Sequence, residues 1–424
     1  MKLWSLLRRF LSACWRGLTV IRLAMSNILF IAMLAIIYFV YLGGTPEPLP
    51  ERSALLLNIT GTVVDEKSFV QPLQALLGEP SPADHEVLLR DVLDAIKYAE
   101  SDPAINVLVL ELDSMVSLGI SKTLEISKAL DSFKDSGKPV VAVGDYYTQD
   151  QYLLASHADT IILRPLGGVM LEGFSSYHNY FREALEKISV NMHVFKAGEH
   201  KSVAEPFLRD DMSAGEREIT SRWLQGLWER YSDVVEQRRA LAEGAVSQHV
   251  ENYAANLNVQ GGDLAKTSLV AGLVDEIMGR SDANDYLSDL VGATNENGFY
   301  EAVVFERYID RKRPLSLLGI EGDRVAVITA QGSIQVGEQP SGSIGGDSLA
   351  RLIRTTADED DVGAIVLRIN SGGGSVFASE VIRQAILHAK ADGLPVVVSM
   401  GAVAASGGYY IAAEADQIWA TPTT

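Results

Sequence analysis

The chain of 424 residues is almost free of cysteine, and its single cysteine is Cys14. An intrachain disulfide and a cysteine-based metal site are therefore excluded. Histidine is scarce, with 7 residues, and the 36 cationic residues are outnumbered by 55 acidic ones, for a formal net charge of −19. Such a chain lacks the basic surface that binds nucleic acid, so we expect no nucleic-acid partner. Its length and its 47 % hydrophobic content predict a folded protein of at least two domains.

The first 46 residues contain no acidic side chain, and their five cationic residues all precede an uncharged stretch of 20 residues, Leu23 to Leu42. About 20 apolar residues at about 1.5 Å each cover the hydrocarbon core of a bilayer. The positive-inside rule then places the N-terminus in the cytoplasm. We predict a basic segment and a transmembrane anchor over residues 1–46. A cleaved signal peptide is the alternative, which the absence of a small-residue cleavage site after the apolar run disfavours.

Blocks of sequence recur in the same order about 257 residues apart, beyond the period of solenoid repeats. Val107–Ser114 parallels Ala364–Ser371, and the segment from Tyr152 parallels the segment from Tyr409. In each copy, apolar strand-like runs alternate with amphipathic helical segments, which predicts an α/β fold with a largely parallel sheet. The predicted division is an N-terminal domain over 47–292, a connection over 293–322 and a C-terminal domain over 323–424.

In the second copy the pattern predicts strands over Ala364–Ile369 and Pro395–Met400, with a helix over Phe377–Ala391 between them. The glycine-rich segment Asn370–Ser375 follows the first strand directly. Three glycines let the backbone turn sharply and expose consecutive N–H groups, which can hold a developing oxyanion. A plain turn or a phosphate loop are the alternatives, but the Lys-Ser/Thr pair of a P-loop is absent.

The second strand leads into Gly401–Gly408, in which Ser406 stands among small residues just before a predicted helix near Ala405. A serine at a sharp strand-to-helix turn resembles a nucleophile elbow in its mechanics, although the G-x-S-x-G spacing is missing. The positive end of the helix would face a negative intermediate. The alternative is a serine that only caps the helix.

A nucleophilic serine needs a base. The only histidine of the second copy, His388, lies inside a predicted helix away from both loops, so a Ser–His–Asp triad has little support. A lysine can serve where burial disfavours its charged form. Lys201 follows the turn residue Gly198 and has apolar neighbours, whereas His200 is better explained as a structural or surface residue. A solvated loop lysine is the alternative interpretation.

These elements together resemble the signal peptide peptidase A family, peptidase family S49, in its long, duplicated, membrane-anchored bacterial form. The resemblance covers the chain from the anchor to Thr424. GEHKSVAEPFLRDDMS resembles the lysine motif of the family, RINSGGGS its oxyanion loop and MGAVAASGGYYIA its serine motif. The resemblance implies two tandem Clp protease/crotonase-like domains. It also implies Ser406 as nucleophile, Lys201 as general base, and the N–H groups of Gly373 and Gly407 as oxyanion donors, without a metal or cofactor.

The function implied by this resemblance is that of a serine endopeptidase with a Ser–Lys dyad, held in the bacterial inner membrane by a single span. Its catalytic part would face the periplasm and degrade signal peptides left in the membrane. The family assembles as a ring-like homo-oligomer, which implies a tetramer here. Two alternatives stay open: a crotonase-like acyl-CoA enzyme, which membrane anchoring and export disfavour, and an inactive membrane scaffold.

The two copies are expected to divide the work. In the first copy Gln149 stands at the serine position and Met115–Gly119 replaces the glycine loop, so that copy has neither nucleophile nor oxyanion loop. It supplies Lys201, which predicts an active site at the domain interface. The sequence departs from the family at Gly372, where proline is usual. Because the family continues beyond the serine motif, a chain that ends 18 residues after Ser406 is expected to be truncated.

Overall fold

The computed structural model describes residues 2–41, 49–196, 198, 201–313 and 324–424. The chain divides into an N-terminal unit that extends to Leu49 and a second unit over Pro50–Thr424. Each of the two units has its own type of structure, a single long helix in the first and layered α/β structure in the second.

The strands, numbered along the chain, are β1 (Ser53–Leu57), β2 (Gly61–Val64), β3 (Glu86–Leu88), β4 (Ile105–Glu111), β5 (Met115–Ser117), β6 (Val140–Gly144), β7 (Thr160–Leu163), β8 (Glu276–Ile277), β9 (Ala302–Val304), β10 (Arg324–Gln331), β11 (Ile334–Gln335), β12 (Ile344–Gly345), β13 (Val362–Ser371), β14 (Val396–Ala404) and β15 (Gln417–Trp419). The helices are α1 (Lys2–Tyr41), α2 (Pro72–Leu77), α3 (Leu89–Ser101), α4 (Ile120–Asp135), α5 (Gln149–Ala155), α6 (Arg182–Lys187), α7 (Glu205–Leu208), α8 (Ala214–Arg238), α9 (Ala245–Glu251), α10 (Tyr253–Val259), α11 (Leu264–Val270), α12 (Arg280–Val291), α13 (Phe305–Lys312), α14 (Gly346–Ala357), α15 (Val376–Ala391) and α16 (Gly407–Ala412). A 3₁₀ turn covers Pro82–His85.

The N-terminal unit is the helix α1, of 40 residues. Within it, Trp15–Ile36 forms a stretch of 22 residues that is apolar enough to cross a membrane. At about 1.5 Å per residue this stretch is about 33 Å long, close to the thickness of a hydrocarbon core. The predicted anchor therefore fits a single helix that crosses a membrane once.

The second unit contains two main parallel sheets. The first has six strands in the order β8-β7-β6-β4-β1-β9, and the second has four in the order β10-β13-β14-β15. All the strand pairs in both sheets are parallel. Parallel sheets are covered on both faces by helices, which explains why strands such as β4 and β6 are continuous apolar runs. The predicted fold class, α/β with parallel sheets after an apolar N-terminal helix, is confirmed.

The two sheets repeat one another in topology. Successive neighbours β1, β4, β6 and β7 in the first sheet correspond to β10, β13, β14 and β15 in the second. A smaller layer is repeated too: β2 pairs with β3 and β5, while β11 pairs with β12 and Ile334 bridges to Gly374. The recurrence of sequence blocks therefore has a counterpart in the order of the strands.

The elements predicted around the serine are present, with shifted ends. β13 is longer than the predicted strand at both ends, and β14 continues beyond Met400 to Ala404. Their inward side chains, including Ile365, Leu367 and Val398, pack with Ile382 and Ile386 of α15 in one buried core. This packing holds the carboxyl ends of β13 and β14 next to each other.

The segment expected to connect the copies contains regular structure. β9 pairs in parallel with β1 at the edge of the first sheet. α13 follows it, and the Tyr308 hydroxyl donates to Asp102 Oδ2 at 2.8 Å. Residues 302–312 thus belong to the layers of the first sheet, because β9 satisfies the edge of β1.

Candidate active site

Ser406 occupies a strained turn between β14 and α16. Its backbone has φ 51° and ψ −119°, a region that residues with a Cβ rarely adopt. The residue stands at the N-cap of α16, yet its hydroxyl makes no capping hydrogen bond, and the side chain is exposed. A helix-capping serine has an extended backbone, and its side-chain oxygen accepts a hydrogen bond from an N–H group of the first helical turn. Ser406 therefore has the geometry of a nucleophile elbow and lacks that of a helix cap.

Short backbone hydrogen bonds hold this turn. The Gly408 N–H donates to Ala405 O at 2.8 Å, and the Tyr410 N–H donates to Ser406 O at 2.9 Å. The Ala405 N–H donates to Ser371 O at 3.0 Å, which ties the turn to the end of β13. A Cβ on Gly408 would lie 2.5 Å from that same carbonyl oxygen, so the close approach requires glycine. The small residues after Ser406 are thus explained by backbone packing.

The glycine loop lies directly against the serine turn. Gly373 has φ 94°, and a Cβ added there would lie 2.5 Å from Gly407 N and 2.9 Å from Ser406 Cβ. The structure therefore brings together three of the four predicted site residues: Gly373, Ser406 and Gly407. This meeting follows from the parallel register, because β13 and β14 end at the same edge of the sheet.

The N–H of Gly373 already has a partner. It donates to Ser371 Oγ at 3.1 Å, and that hydroxyl donates in turn to Gly332 O at 2.6 Å. The Gly407 N–H stands at the first position of α16, where helix amides have no intrahelical acceptor. Sequence reasoning missed the role of Ser371, a buried serine within the loop motif. Its hydroxyl links the Gly373 N–H to the Gly332 carbonyl oxygen and so fixes the loop.

Replacing Gly373 by alanine is expected to lower kcat at least about tenfold, because the new Cβ cannot fit against Gly407 N and the positive φ becomes strained. Gly372 is the matched control, since a Cβ there meets no heavy atom within 4 Å. Peptide hydrolysis and thermal unfolding of both variants of the full-length protein provide the comparison. Equal kcat values for G373A and G372A would contradict the close packing of loop and serine.

Lys201, the fourth predicted site residue, belongs to neither of the two loops. It is exposed and lies between α6 and α7 in a segment without regular secondary structure. Its neighbour His200 lies outside the described residues. Among the residues that the structure covers, no hydrogen bond or ion pair joins Lys201 to Ser406. The pairing of these two side chains therefore remains a prediction of the resemblance.

Two histidines of the described residues, His388 and His157, give no support to a histidine base at this site. His388, in the last turn of α15, has a side chain that is 61 % exposed and approaches Asp392 at 3.6 Å. His157 is buried in the first copy, and burial lowers its pKa to about 3, so its ring is neutral. Within the described part of the chain no histidine hydrogen-bonds Ser406. Nor do the described residues contain a cluster of three or more His, Cys, Asp or Glu side chains that could hold a metal.

A buried ionic cluster links the second copy to the first, two residues before the glycine loop. Arg368 of β13 donates from Nε to Asp65 Oδ1 at 3.1 Å, from Nη1 to Ser399 Oγ at 3.0 Å, and from Nη2 to Glu125. Lys122 Nζ lies 3.9 Å from the other oxygen of Asp65. Burial lowers the pKa of Arg368, but the carboxylates of Asp65 and Glu125 outweigh this effect, so its pKa lies above the ordinary value.

The equivalent turn of the first copy has different chemistry. Gln149 is the first residue of α5, and its side chain accepts from the N–H groups of Glu172 and Gly173 at 3.0 and 2.8 Å. The preceding Thr148 does cap its helix, with its hydroxyl accepting from Gln151 N. Asp150 accepts at 3.4 Å from the N–H groups that follow β5. In the first copy, the turn before α5 is thus an ordinary helix cap formed by Thr148. In the second copy, the corresponding turn contains the strained Ser406, which does not cap α16.

Comparisons with known proteins identify one family of peptidases. The sequence model of Peptidase family S49 matches residues 132–294 and 388–424. Protease 4 of Salmonella typhi is 39 % identical over 429 residues, covering 100 % of this chain and 69 % of its own length. Protease 4 of Haemophilus influenzae is 37 % identical over 426 residues, covering 98 % of this chain and 68 % of its own. The chloroplastic serine protease SPPA of Arabidopsis thaliana is 28 % identical over 332 residues, covering 77 % of this chain and 47 % of its own.

Proposed function

Because the chain belongs to peptidase family S49, whose members include serine proteases, we propose that it is a serine endopeptidase with Ser406 as nucleophile and Lys201 as general base. The strained turn of Ser406 is the observation that carries this proposal. The residue is exposed, its hydroxyl does not cap α16, and its Cβ lies against Gly373 of the glycine loop. Backbone strain at a single non-glycine residue persists where function requires it.

In the proposed mechanism the neutral amine of Lys201 accepts the proton of Ser406 Oγ while this oxygen attacks the peptide carbonyl carbon. The carbonyl oxygen becomes an oxyanion that accepts from the Gly407 N–H and, once released from Ser371 Oγ, from the Gly373 N–H. Collapse breaks the C–N bond, and Lys201 returns the proton to the leaving amine. A water molecule then gives a proton to Lys201 and hydrolyses the acyl-enzyme, which regenerates Ser406.

The proposed base is tested by replacing Lys201 with methionine in the full-length protein. A general base contributes about 10²–10⁴ in rate, so kcat/KM for a peptide is expected to fall about 10³-fold. Lys187→Met, at an exposed lysine of α6, is the matched control and should retain hydrolysis. Retained kcat/KM in K201M would exclude Lys201 as the base.

We also propose that another copy of the chain covers the segment that carries Lys201. Large apolar side chains along this segment are exposed to solvent, namely Tyr177 at 91 %, Phe195 at 97 % and Val203 at 78 %. Exposed apolar surface of this kind is typical of an interface. Such cover would keep water from the lysine and favour the neutral amine. It fits the ring-like homo-oligomer, a tetramer, that the family resemblance implies, and sedimentation of the full-length protein as a monomer would contradict it.

The proposed substrates are peptides at the membrane, in particular signal peptides left there after cleavage. Support comes from α1, whose apolar stretch is preceded by basic residues, an arrangement that favours a cytoplasmic N-terminus and a catalytic part on the periplasmic side. We propose two duplicated domains, over 47–292 and 323–424, with β9 and α13 of the intervening segment added to the first. A tag placed after Thr424 that is accessible only from the cytoplasm would contradict this orientation.

A further inference from the structure

The first copy contains an open cleft at the position that corresponds to the candidate active site. The cleft has a volume of about 320 Å³. Its lining includes Val116 of β5 on one side and Thr148, Gln149 and Asp150 of the turn into α5 on the other. In the second copy, the position of β5 is taken by Gly374, which bridges to Ile334 of β11. The turn into α5 corresponds to the turn that contains Ser406.

Side chains of the first copy hold the walls of this cleft in place. Asp150 Oδ2 accepts from Ser117 Oγ and from the N–H groups of Leu118 and Gly119, each at 3.4 Å, so a carboxylate occupies the amides that an oxyanion would use. The Gln149 side-chain amide donates to Gly173 O at 3.1 Å and fixes the far wall. The Ser117 hydroxyl, the N–H groups of Leu118 and Gly119 and the Gln149 side-chain amide are thus all hydrogen-bonded within the protein. The cleft is open to a peptide but lacks the groups that would cleave it.

The cleft offers an exposed apolar surface along an outer strand. In the layer β3-β2-β5, β5 is an outer strand that pairs with β2 and with no other strand of the described residues. Val116, at its centre, is 74 % exposed, and Met170 adds a second apolar contact. Both main-chain groups of Met115 are already bonded at 2.9 Å, the N–H to Leu112 O and the carbonyl oxygen to Gln151 Nε2. A peptide in this cleft would therefore be held mainly by its side chains, which contact the exposed apolar surface.

The charge of the lining selects the occupant. Among the described residues, the ionisable side chains of the cleft are the carboxylates of Asp150 and Glu172 and the phenol of Tyr146, without a lysine or arginine. Glu172 is exposed at the mouth. A cationic side chain is therefore the complementary group. A peptide with a basic segment directly before an apolar run would place its cations near these carboxylates and its apolar side chains near Val116 and Met170.

We propose that this cleft is a non-catalytic subsite that binds the basic segment of an extended peptide substrate. The proposal rests on the proposed function for its substrate class and assigns a binding role to the copy that lacks the serine. The subsite holds one part of the peptide, while a more distant peptide bond reaches Ser406. Long basic peptides are then better substrates than short or neutral ones.

The test measures peptide binding separately from cleavage, in full-length protein that carries Ser406→Ala. The probes are two fluorescent peptides with the same apolar run, preceded in one by two lysines and in the other by two glutamines, followed by anisotropy. Adding Glu172→Lys is expected to raise the Kd of the lysine peptide about tenfold and that of the glutamine peptide less than twofold. Val116→Arg, which places a cation in the cleft at an exposed position, should act in the same way.

The matched control is Glu296→Lys, the same change of charge on an exposed loop between α12 and β9. An equal loss of affinity in E296K would show a general charge effect and overturn the subsite. Unchanged Kd in both cleft variants, or no binding of either peptide to the Ser406→Ala protein, would overturn it as well. Failure of the proposed function has a different signature, namely hydrolysis retained by Ser406→Ala or Lys201→Met.

Discussion

Replacing Ser406 by glycine is expected to abolish peptide hydrolysis and at the same time to stabilise the fold. The loss follows from the missing nucleophile, and kcat should fall at least about 10³-fold. The gain follows from φ 51° and ψ −119°, which glycine adopts without a Cβ penalty. The free energy of unfolding should exceed that of Ser406→Ala by about 1 kcal/mol, because alanine removes the hydroxyl but keeps the strain.

Urea unfolding and peptide hydrolysis of S406G, S406A and the unsubstituted protein give this comparison. Ser375 is a useful control, since it also starts a helix but does cap it, with its hydroxyl accepting from Ala378 N at 3.3 Å. Ser375→Ala should therefore lose about 1 kcal/mol of stability, the usual cost of a lost cap. The interpretation of Ser406 as a strained nucleophile is wrong if S406G hydrolyses peptides, or if it is less stable than S406A.

Replacing Arg368 by methionine is expected to have the largest effect on stability. The variant removes the guanidinium from Asp65, whose side chain is 6 % exposed, and from Glu125, and it leaves Asp65 only the more distant Lys122 Nζ, 3.9 Å away. An orphaned buried charge typically costs about 3–5 kcal/mol. Because Arg368 lies two residues before Asn370, we also expect the glycine loop to loosen and kcat to fall. Thermal and urea unfolding, together with peptide hydrolysis, measure the two effects.

Arg324 is the matched control for this variant. It also pairs with two carboxylates, Glu359 and Asp361, but its side chain is 45 % exposed. Arg324→Met should therefore lose much less stability, since solvent screens exposed pairs. Adding Asp65→Asn to Arg368→Met should recover part of the loss, because the unpaired charge is removed. Similar losses in R368M and R324M would show that the ionic cluster does not join the copies.

Strands and helices near the serine were predictable because their signals are local. β13, β14 and α15 are continuous apolar or amphipathic runs, and each starts or ends within a few residues of its predicted position. The apolar stretch of α1 was equally direct. The segment 293–322 was expected to be a connection, because a three-residue strand such as β9 has no periodicity of its own. Only its pairing with β1 makes it a strand.

Partners far apart in the sequence could not be predicted in the same way. Asp65 and Arg368 are 303 residues apart, and nothing in the sequence around either residue indicates that they pair. Ser371 has no signal that separates it from its neighbour Ser375, yet one binds the Gly373 amide and the other caps a helix. The carboxylate of Asp150 over the first copy's loop is a third case. Each depends on which elements the sheet register brings together.

The sequence by itself determined the class of fold, the duplication, the apolar helix and the residue types of the serine and glycine motifs, because these are patterns of neighbouring residues. Tertiary structure alone decided that Ser406 has a strained backbone and a hydroxyl that does not cap α16. The reason is the packing of Gly373 and Ser371 against the serine turn at the common edge of β13 and β14. The motif supplies small residues at these positions, and their close backbone contacts impose a conformation that no local preference favours.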